Sequence, residues 1–284
     1  MIITEAHELT PVEKRGDYCF KRDDLFVPFS FSPVNGSKLR QAILLCEKNA
    51  QRVSNGIYTG TSIHSPQAVI CASVAKQKNV PCHIVFGGTD ERHLIGSNYY
   101  ALCKYLGAHT HFVSSGRTAV VSKYANDLAN SAQGFCVKYG FDLNNNVDVF
   151  IESVAQQVQN IPDVRNLVIT IGSAITITGV LLGIAKYGKQ IQRIIGVGCA
   201  PDRMQKIREY ANLIKSKTGY DLPIERLQYI DCYNRLKGFK YENTINKSYC
   251  GIVFHPRYEA KTFAFMEKYV PKNNTLMWIT GHEL

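Results

Sequence analysis

The feature that most narrows the fold of this chain is a regular alternation of short apolar runs with longer helix-like ones. Residues 56–59, 83–86, 109–113, 167–171, 194–197 and 276–279 are strand-length and apolar. Residues 38–52, 66–78, 95–106, 118–132, 147–160, 176–187, 202–217 and 261–269 have helical length and spacing. Strands separated by helices pair in parallel, and the helices then cover both faces of the sheet. The pattern predicts an α/β chain with open, mostly parallel sheets flanked by helices. No internal repeat or low-complexity linker interrupts it.

With 284 residues, 45% of them hydrophobic, the chain can bury the cores of one or two domains. There is no run long enough for a membrane helix and no signal-peptide pattern at Met1, so a cytoplasmic protein is expected. The nine cysteines are scattered and form no CxxC pair. That spacing supports no zinc or redox motif, so no metal is expected, and the odd count favours reduced thiols. The formal net charge of +10 leaves two readings open. It is a solubility feature, or it attracts a polyanion such as DNA or RNA.

Within this frame one lysine stands out, in Asn35-Gly36-Ser37-Lys38-Leu39-Arg40. A Gly-Ser turn presents Lys38 at the start of a helix whose buried face carries Leu39, Ile43, Leu44 and Leu45. The helix dipole is positive there and disfavours an ammonium. A lysine so placed can lose its proton and form a Schiff base with a carbonyl. An exposed, solvated lysine is the commoner outcome for an isolated Gly-Ser-Lys. Three further segments change that balance: Thr59 to Gln67, Val168 to Gly179, and His255 to Lys261.

Taken in order with Lys21-Arg22-Asp23-Asp24-Leu25, these segments resemble fold-type II pyridoxal-phosphate (PLP) enzymes. The nearest resemblance is to 1-aminocyclopropane-1-carboxylate deaminase and D-cysteine desulfhydrase. The likeness runs over nearly the whole chain, with Gly96-Ser97-Asn98 and Leu106-Gly107-Ala108 as further counterparts. It implies a tryptophan synthase β-like architecture with the cofactor in an interdomain cleft. The large PLP-binding domain would be residues 1–52 and 146–284, and a small inserted α/β domain residues 53–145. Relatives are commonly homodimers.

The resemblance also implies roles. Lys38 would carry PLP and serve as the base for Cα proton transfer. Gly172, Ser173, Ala174, Ile175 and Thr176 would hold its phosphate at a helix N-terminus. Glu259 would face the pyridine nitrogen, where a carboxylate favours the protonated ring and so Cα carbanion chemistry. Tyr258 would approach the substrate, Ser62 would contact its carboxylate, and Ile63 and His64 would complete that loop. The implied reaction passes through an external aldimine and a Cα carbanion or quinonoid on an amino acid.

Departures from the family pattern bear on the substrate. Ile175 replaces a glycine of the phosphate loop, and a branched side chain disfavours positive φ. Ile63 replaces an asparagine that contacts the PLP ring hydroxyl, Pro66 replaces an arginine, and His282 replaces the second glycine of T-G-G. The G-G-S-N stretch gives way to Tyr139-Gly140-Phe141-Asp142-Leu143, and only residues 240–250 remain of a longer insertion. Two substrates follow. The first is a small amino acid, with a lyase or deaminase reaction. The alternative is an amino acid attached to a modified thymine in DNA, undergoing decarboxylation or related Cα chemistry as in phage hypermodification. A phage enzyme would work in the host cytoplasm.

Overall fold

The computed structural model describes residues 6–63, 65–141, 146–236, 238–240 and 242–282. Among them the strands are β1 (Val12–Arg15), β2 (Tyr18–Arg22), β3 (Ile57–Gly60), β4 (Cys82–Gly87), β5 (His109–Val113), β6 (Phe135–Val137), β7 (Asn166–Ile171), β8 (Arg193–Gly198), β9 (Leu227–Asp231), β10 (Ser248–Tyr249), β11 (Ile252–Val253) and β12 (Thr275–Ile279). The helices are α1 (Gly36–Lys48), α2 (Ala50–Val53), α3 (Gln67–Lys78), α4 (Asn98–Tyr105), α5 (Thr118–Ser131), α6 (Val147–Gln156), α7 (Ile175–Lys186), α8 (Met204–Thr218), α9 (Cys232–Arg235) and α10 (Glu259–Tyr269). None is long and apolar enough to cross a membrane.

Contacts divide the chain into two compact units. One holds the described parts of Met1–Phe26, Asn35–Ser37 and Val147–Glu283; the other holds Val27–Val34 and Lys38–Asn146. The sequence reading puts residues 38–52 with the larger unit, whereas this grouping puts them with the smaller.

The larger unit is built on a six-stranded sheet, β1-β2-β12-β7-β8-β9. Only β1 pairs antiparallel; β2, β12, β7, β8 and β9 run parallel. Every residue of β7 and β12 is buried, as expected of central strands covered on both faces. On one face Tyr18, Phe20, Val168, Ile195 and Met277 pack with Phe254, Phe263 and Met266. On α7, Gly183 permits close packing, because a Cβ there would stand 2.4 Å from Val158 Cγ2 and 2.6 Å from the Ala155 carbonyl oxygen.

The smaller unit has a four-stranded, wholly parallel sheet, β5-β4-β3-β6. Helix α5 packs against it through Val121 and Ala125, which meet Val85. The fold is α/β of fold type II, with mostly parallel sheets flanked by helices. All six strands read from the sequence are present, and so are all eight helical segments, within a few residues at their ends.

Candidate active site

The Ser62 and Gly172 loops leave the carboxyl ends of parallel strands, where ligands bind in open α/β sheets, while Lys38 and Glu259 lie in the first turns of α1 and α10. In the larger unit Asp23 follows β2, Thr280 follows β12, Gly172 follows β7 and Cys199 follows β8.

The first loop is organised by buried charge. Arg22 donates to both oxygens of Asp24, at 2.7–3.2 Å, and to Glu13 at 2.8 Å. Lys21 is fully buried and donates to the Thr10 carbonyl at 2.6 Å and to Asn160 Oδ1 at 2.7 Å. Asp23, also fully buried, accepts from Thr10 Oγ1 at 2.7 Å, from Ser37 Oγ at 2.6 Å and from Trp278 Nε1 at 3.2 Å. The charged pentapeptide is thus a scaffold for the turn that precedes Lys38.

That turn is fixed from a second side. Gly36 has φ +83°, and a Cβ there would lie 2.1 Å from the Thr280 carbonyl oxygen. Ser37 N–H donates to the same carbonyl at 2.9 Å. Asn35 Oδ1 accepts from the His282 amide at 2.9 Å, and Asn35 Nδ2 donates to the His282 carbonyl at 3.4 Å. Lys38 follows as the third residue of α1, half-buried.

Glu259 begins α10 and is 1% exposed. Burial pushes its carboxyl up to about 7, with Asp24 adding to the rise; the Thr280 hydrogen bonds oppose it. The Thr280 amide donates to Oε1 at 3.2 Å, and the Thr280 hydroxyl donates to the same oxygen. Both of these hydrogen bonds fall on one carboxylate oxygen. Tyr258, at the N-cap position of α10, lies with its ring 4.8 Å from that of His255. A Cβ on Gly172 would meet Tyr258 Cε1 at 3.9 Å, so the tyrosine ring borders the loop after β7. His282 lies within reach of Asp24 and Arg22, and burial lowers its imidazole below the ordinary histidine value.

The loop after β7 leads into α7, whose first turn carries no acidic residue. Gly172, Ser173 and Thr176 are half-buried, while Ala174 and Ile175 are buried. Ile175 avoids positive φ, as its branched side chain favours, and is the first helical residue; the left-handed conformation falls on Ala174, at φ +72° and ψ −3°. A left-handed alanine costs about 1–2 kcal/mol. Its conformation is held by Thr178, whose amide and hydroxyl donate to the Ala174 carbonyl at 3.2 and 2.7 Å. On the other side, Arg203 Nε donates to the Gly172 carbonyl at 3.2 Å.

In the smaller unit Ser62 and Ile63 are half-buried in the loop after β3, and the Ser65 amide donates to the Ser62 carbonyl at 3.0 Å. His64 lies outside the described residues. Pro66 takes the N-cap position of α3, one residue before the first helical turn. Gln67 is buried and donates to Thr59 Oγ1 at 2.8 Å and to the Lys138 carbonyl at 3.0 Å; its Oε1 accepts from the Gly140 amide at 2.9 Å. The segment replacing G-G-S-N is therefore anchored at Gly140, and Phe141 is buried with φ +58°. Residues 142–145 lie outside the described residues.

The profile of the pyridoxal-phosphate dependent enzyme family matches residues 4–227. The chain belongs to that family. This PLP-dependent enzyme is 24% identical over 328 residues to the O-seryl-dTMP PLP-dependent decarboxylase of Salmonella phage ViI, covering 92% of this chain and 77% of the phage protein. A solved 1-aminocyclopropane-1-carboxylate (ACC) deaminase homologue superposes with a TM-score of 0.77 at 18% identity, over 97% of this chain and 89% of its own. Threonine deaminase isoform 2 from Solanum lycopersicum superposes with a TM-score of 0.63 at 14% identity, over 99% and 86%.

The groups present fit pyridoxal 5'-phosphate at two ends. The helix N-terminus after β7, free of acidic side chains in its first turn, suits a phosphate dianion. The buried Glu259, whose Oε1 takes the amide and hydroxyl of Thr280, suits a ring nitrogen. The sequence reading gave no site role to Arg203, Thr280 or Asn35, because their contacts join residues 21 to 247 positions apart.

Proposed function

We propose that this enzyme is a decarboxylase acting on an amino acid joined to a thymine nucleotide. The observation that carries the reading is the likeness to O-seryl-dTMP decarboxylase along 92% of the chain. It reverses the order of the two substrates weighed in the sequence, where the small amino acid came first. The replacements at Ile63 and Pro66 and the net charge of +10 agree with a larger, anionic substrate.

The cofactor, when bound, supplies the electron sink for the pair left at Cα as the carboxylate departs. The chain supplies position and protons. Lys38 would be the amine that anchors the cofactor and the group to hold a proton for Cα. Glu259 would face the ring nitrogen and hold its proton, and a cation beside the carboxylate would favour its ionised form against the upward push of burial. Loop 172–176 fixes the phosphate through backbone amides, with the Ser173 and Thr176 hydroxyls beside them. Tyr258, bordering Gly172, stands near the substrate, and Ser62, Ile63 and His64 form the substrate loop. For decarboxylation that loop must leave the carboxylate poorly neutralised: Ser62 offers it one uncharged hydroxyl, and the Ile63 side chain offers no donor.

The test is carbon dioxide release from O-seryl-dTMP by the PLP-loaded enzyme, with Lys38→Ala beside it. Release that disappears in the variant is expected. No release, together with ammonia or hydrogen sulfide from 1-aminocyclopropane-1-carboxylate or D-cysteine, would replace this reading with the small amino-acid lyase.

A further inference from the structure

Arg203 is absent from the sequence motifs, yet it reaches the loop after β7. Its backbone is fixed at the N-cap position of α8, where Asp202 Oδ1 accepts from the Met204 amide at 2.8 Å and the Arg203 carbonyl accepts from Ile207 at 2.9 Å. Strands β7 and β8 are parallel neighbours in register from Asn166 with Arg193 to Ile171 with Gly198. The loops that leave them therefore lie side by side. Tyr229, on β9, closes the far side: its hydroxyl would sit 2.3 Å from a Cβ on Gly198. From this position Arg203 Nε donates to the Gly172 carbonyl.

The direction of that bond matters. In a trans peptide the carbonyl and the following amide point in opposite senses. A guanidinium on the Gly172 carbonyl therefore holds the Ser173 N–H pointing away from Arg203. It also polarises the peptide and strengthens the amide as a donor. The peptide needs such a hold because the next residue, Ala174, is a non-glycine in the left-handed region. Thr178 holds the loop from beyond Ala174, and Arg203 holds it from before.

We infer that Arg203 is a positioning residue for the phosphate of the cofactor, aiming the Ser173 amide and so setting the enzyme's preference for the phosphorylated over the unphosphorylated ring. This rests on the reading that loop 172–176 holds that phosphate.

The experiment compares dissociation constants for PLP and for pyridoxal, read by cofactor absorbance and protein fluorescence, in the wild type, Arg203→Met, Arg203→Lys and Ser173→Asp. Arg203→Met should weaken PLP by about 10-fold or more, as loss of a charge-assisted hydrogen bond implies, and pyridoxal by less than about twofold. Arg203→Lys, which keeps the charge, should lose only a few-fold, again for PLP alone. Equal losses for the two ligands mark a merely structural arginine and overturn the inference, as does no loss in either. Ser173→Asp separates the two claims by placing a carboxylate in the loop. If it discriminates against PLP while the Arg203 variants do not, the loop reading stands and the inference falls. If it does not discriminate either, the loop reading falls as well. Far-ultraviolet circular dichroism checks folding; should Arg203→Met fail it, a PLP-only loss in Arg203→Lys supports the inference and equal or absent losses overturn it.

Discussion

Ser37 donates its hydroxyl to Asp23 Oδ2 across 2.6 Å, and Ser37 is the residue before Lys38. A buried carboxylate thus holds the turn that presents the lysine, with Thr10 and Trp278 as its other donors. Asp23→Asn leaves a site with three donors facing an amide that can accept on one side only. The expected loss is about 3 kcal/mol. Ser37→Ala removes one donor and should cost about 1–2 kcal/mol. Urea denaturation measures both, and a loss for Asp23→Asn no larger than that for Ser37→Ala would contradict this account.

Gly36 is required for two separate reasons. Its φ of +83° is unfavourable for any side chain, and the space a Cβ would need is taken by the Thr280 carbonyl oxygen. Gly36→Ala must therefore displace backbone as well as strain it. A loss of about 3 kcal/mol or more is expected, with weaker cofactor loading, measured by denaturation and by absorbance of the bound cofactor.

Glu259 makes the cofactor-free enzyme sensitive to pH in a defined direction. Its folded value, about 7, lies above the ordinary value of 4.5. Below pH 4.5 the group is protonated in both states and exerts no effect. Between 4.5 and 7 the folded state binds more protons than the unfolded one, so stability falls as pH rises. Above 7 the cost is constant, on the order of 3 kcal/mol. Glu259→Gln should therefore be more stable than the wild type at pH 8 and lose that advantage at pH 4.5. Denaturation of the apo-protein at the two pH values decides it; a difference that does not change with pH would refute the assignment.

The sheets were legible because their central strands are buried on both faces and read as unbroken apolar runs, as in Asn166–Ile171 and Thr275–Ile279. Strands β1 and β2 were hidden by charge: Val12–Arg15 is an edge strand, and Tyr18–Arg22 ends in Lys21, which bonds Asn160, and Arg22, which pairs with Glu13 and Asp24. Strand β6 has only three residues, too few for a period-two pattern. Lys38, Gly172 and Glu259 were singled out through local motifs. Ile175 avoids positive φ, as its branched side chain requires, but the sequence marks only the missing glycine and not that Ala174 takes the left-handed conformation instead. The partners of those residues, Thr280 on Glu259 and Arg203 on Gly172, depend on which strands are neighbours and left no local signal.

The left-handed backbone at Ala174 can be tested directly. Ala174→Gly removes the Cβ penalty of the left-handed region, offset in part by the greater freedom of glycine in the unfolded chain. A net gain of about 0.5–1 kcal/mol is expected, whereas Ala174→Val should be destabilising. A loss for the glycine variant would mean that the methyl, 2% exposed, contributes more through packing than it costs in backbone strain.

A substrate carried on DNA would bring the phosphodiester backbone to a protein with a formal net charge of +10. Each phosphate neutralised by a lysine or arginine releases counterions, so affinity falls with salt by a power of about 0.9 per phosphate. Three neutralised phosphates would lower affinity about 40-fold between about 50 and about 200 mM salt. Fluorescence anisotropy of labelled duplex DNA across that range measures the slope. A steep slope, with salt leaving turnover of free O-seryl-dTMP little changed, would mark a surface for the DNA backbone outside the chemical site. Binding that is absent or indifferent to salt would place the substrate at the level of the nucleotide.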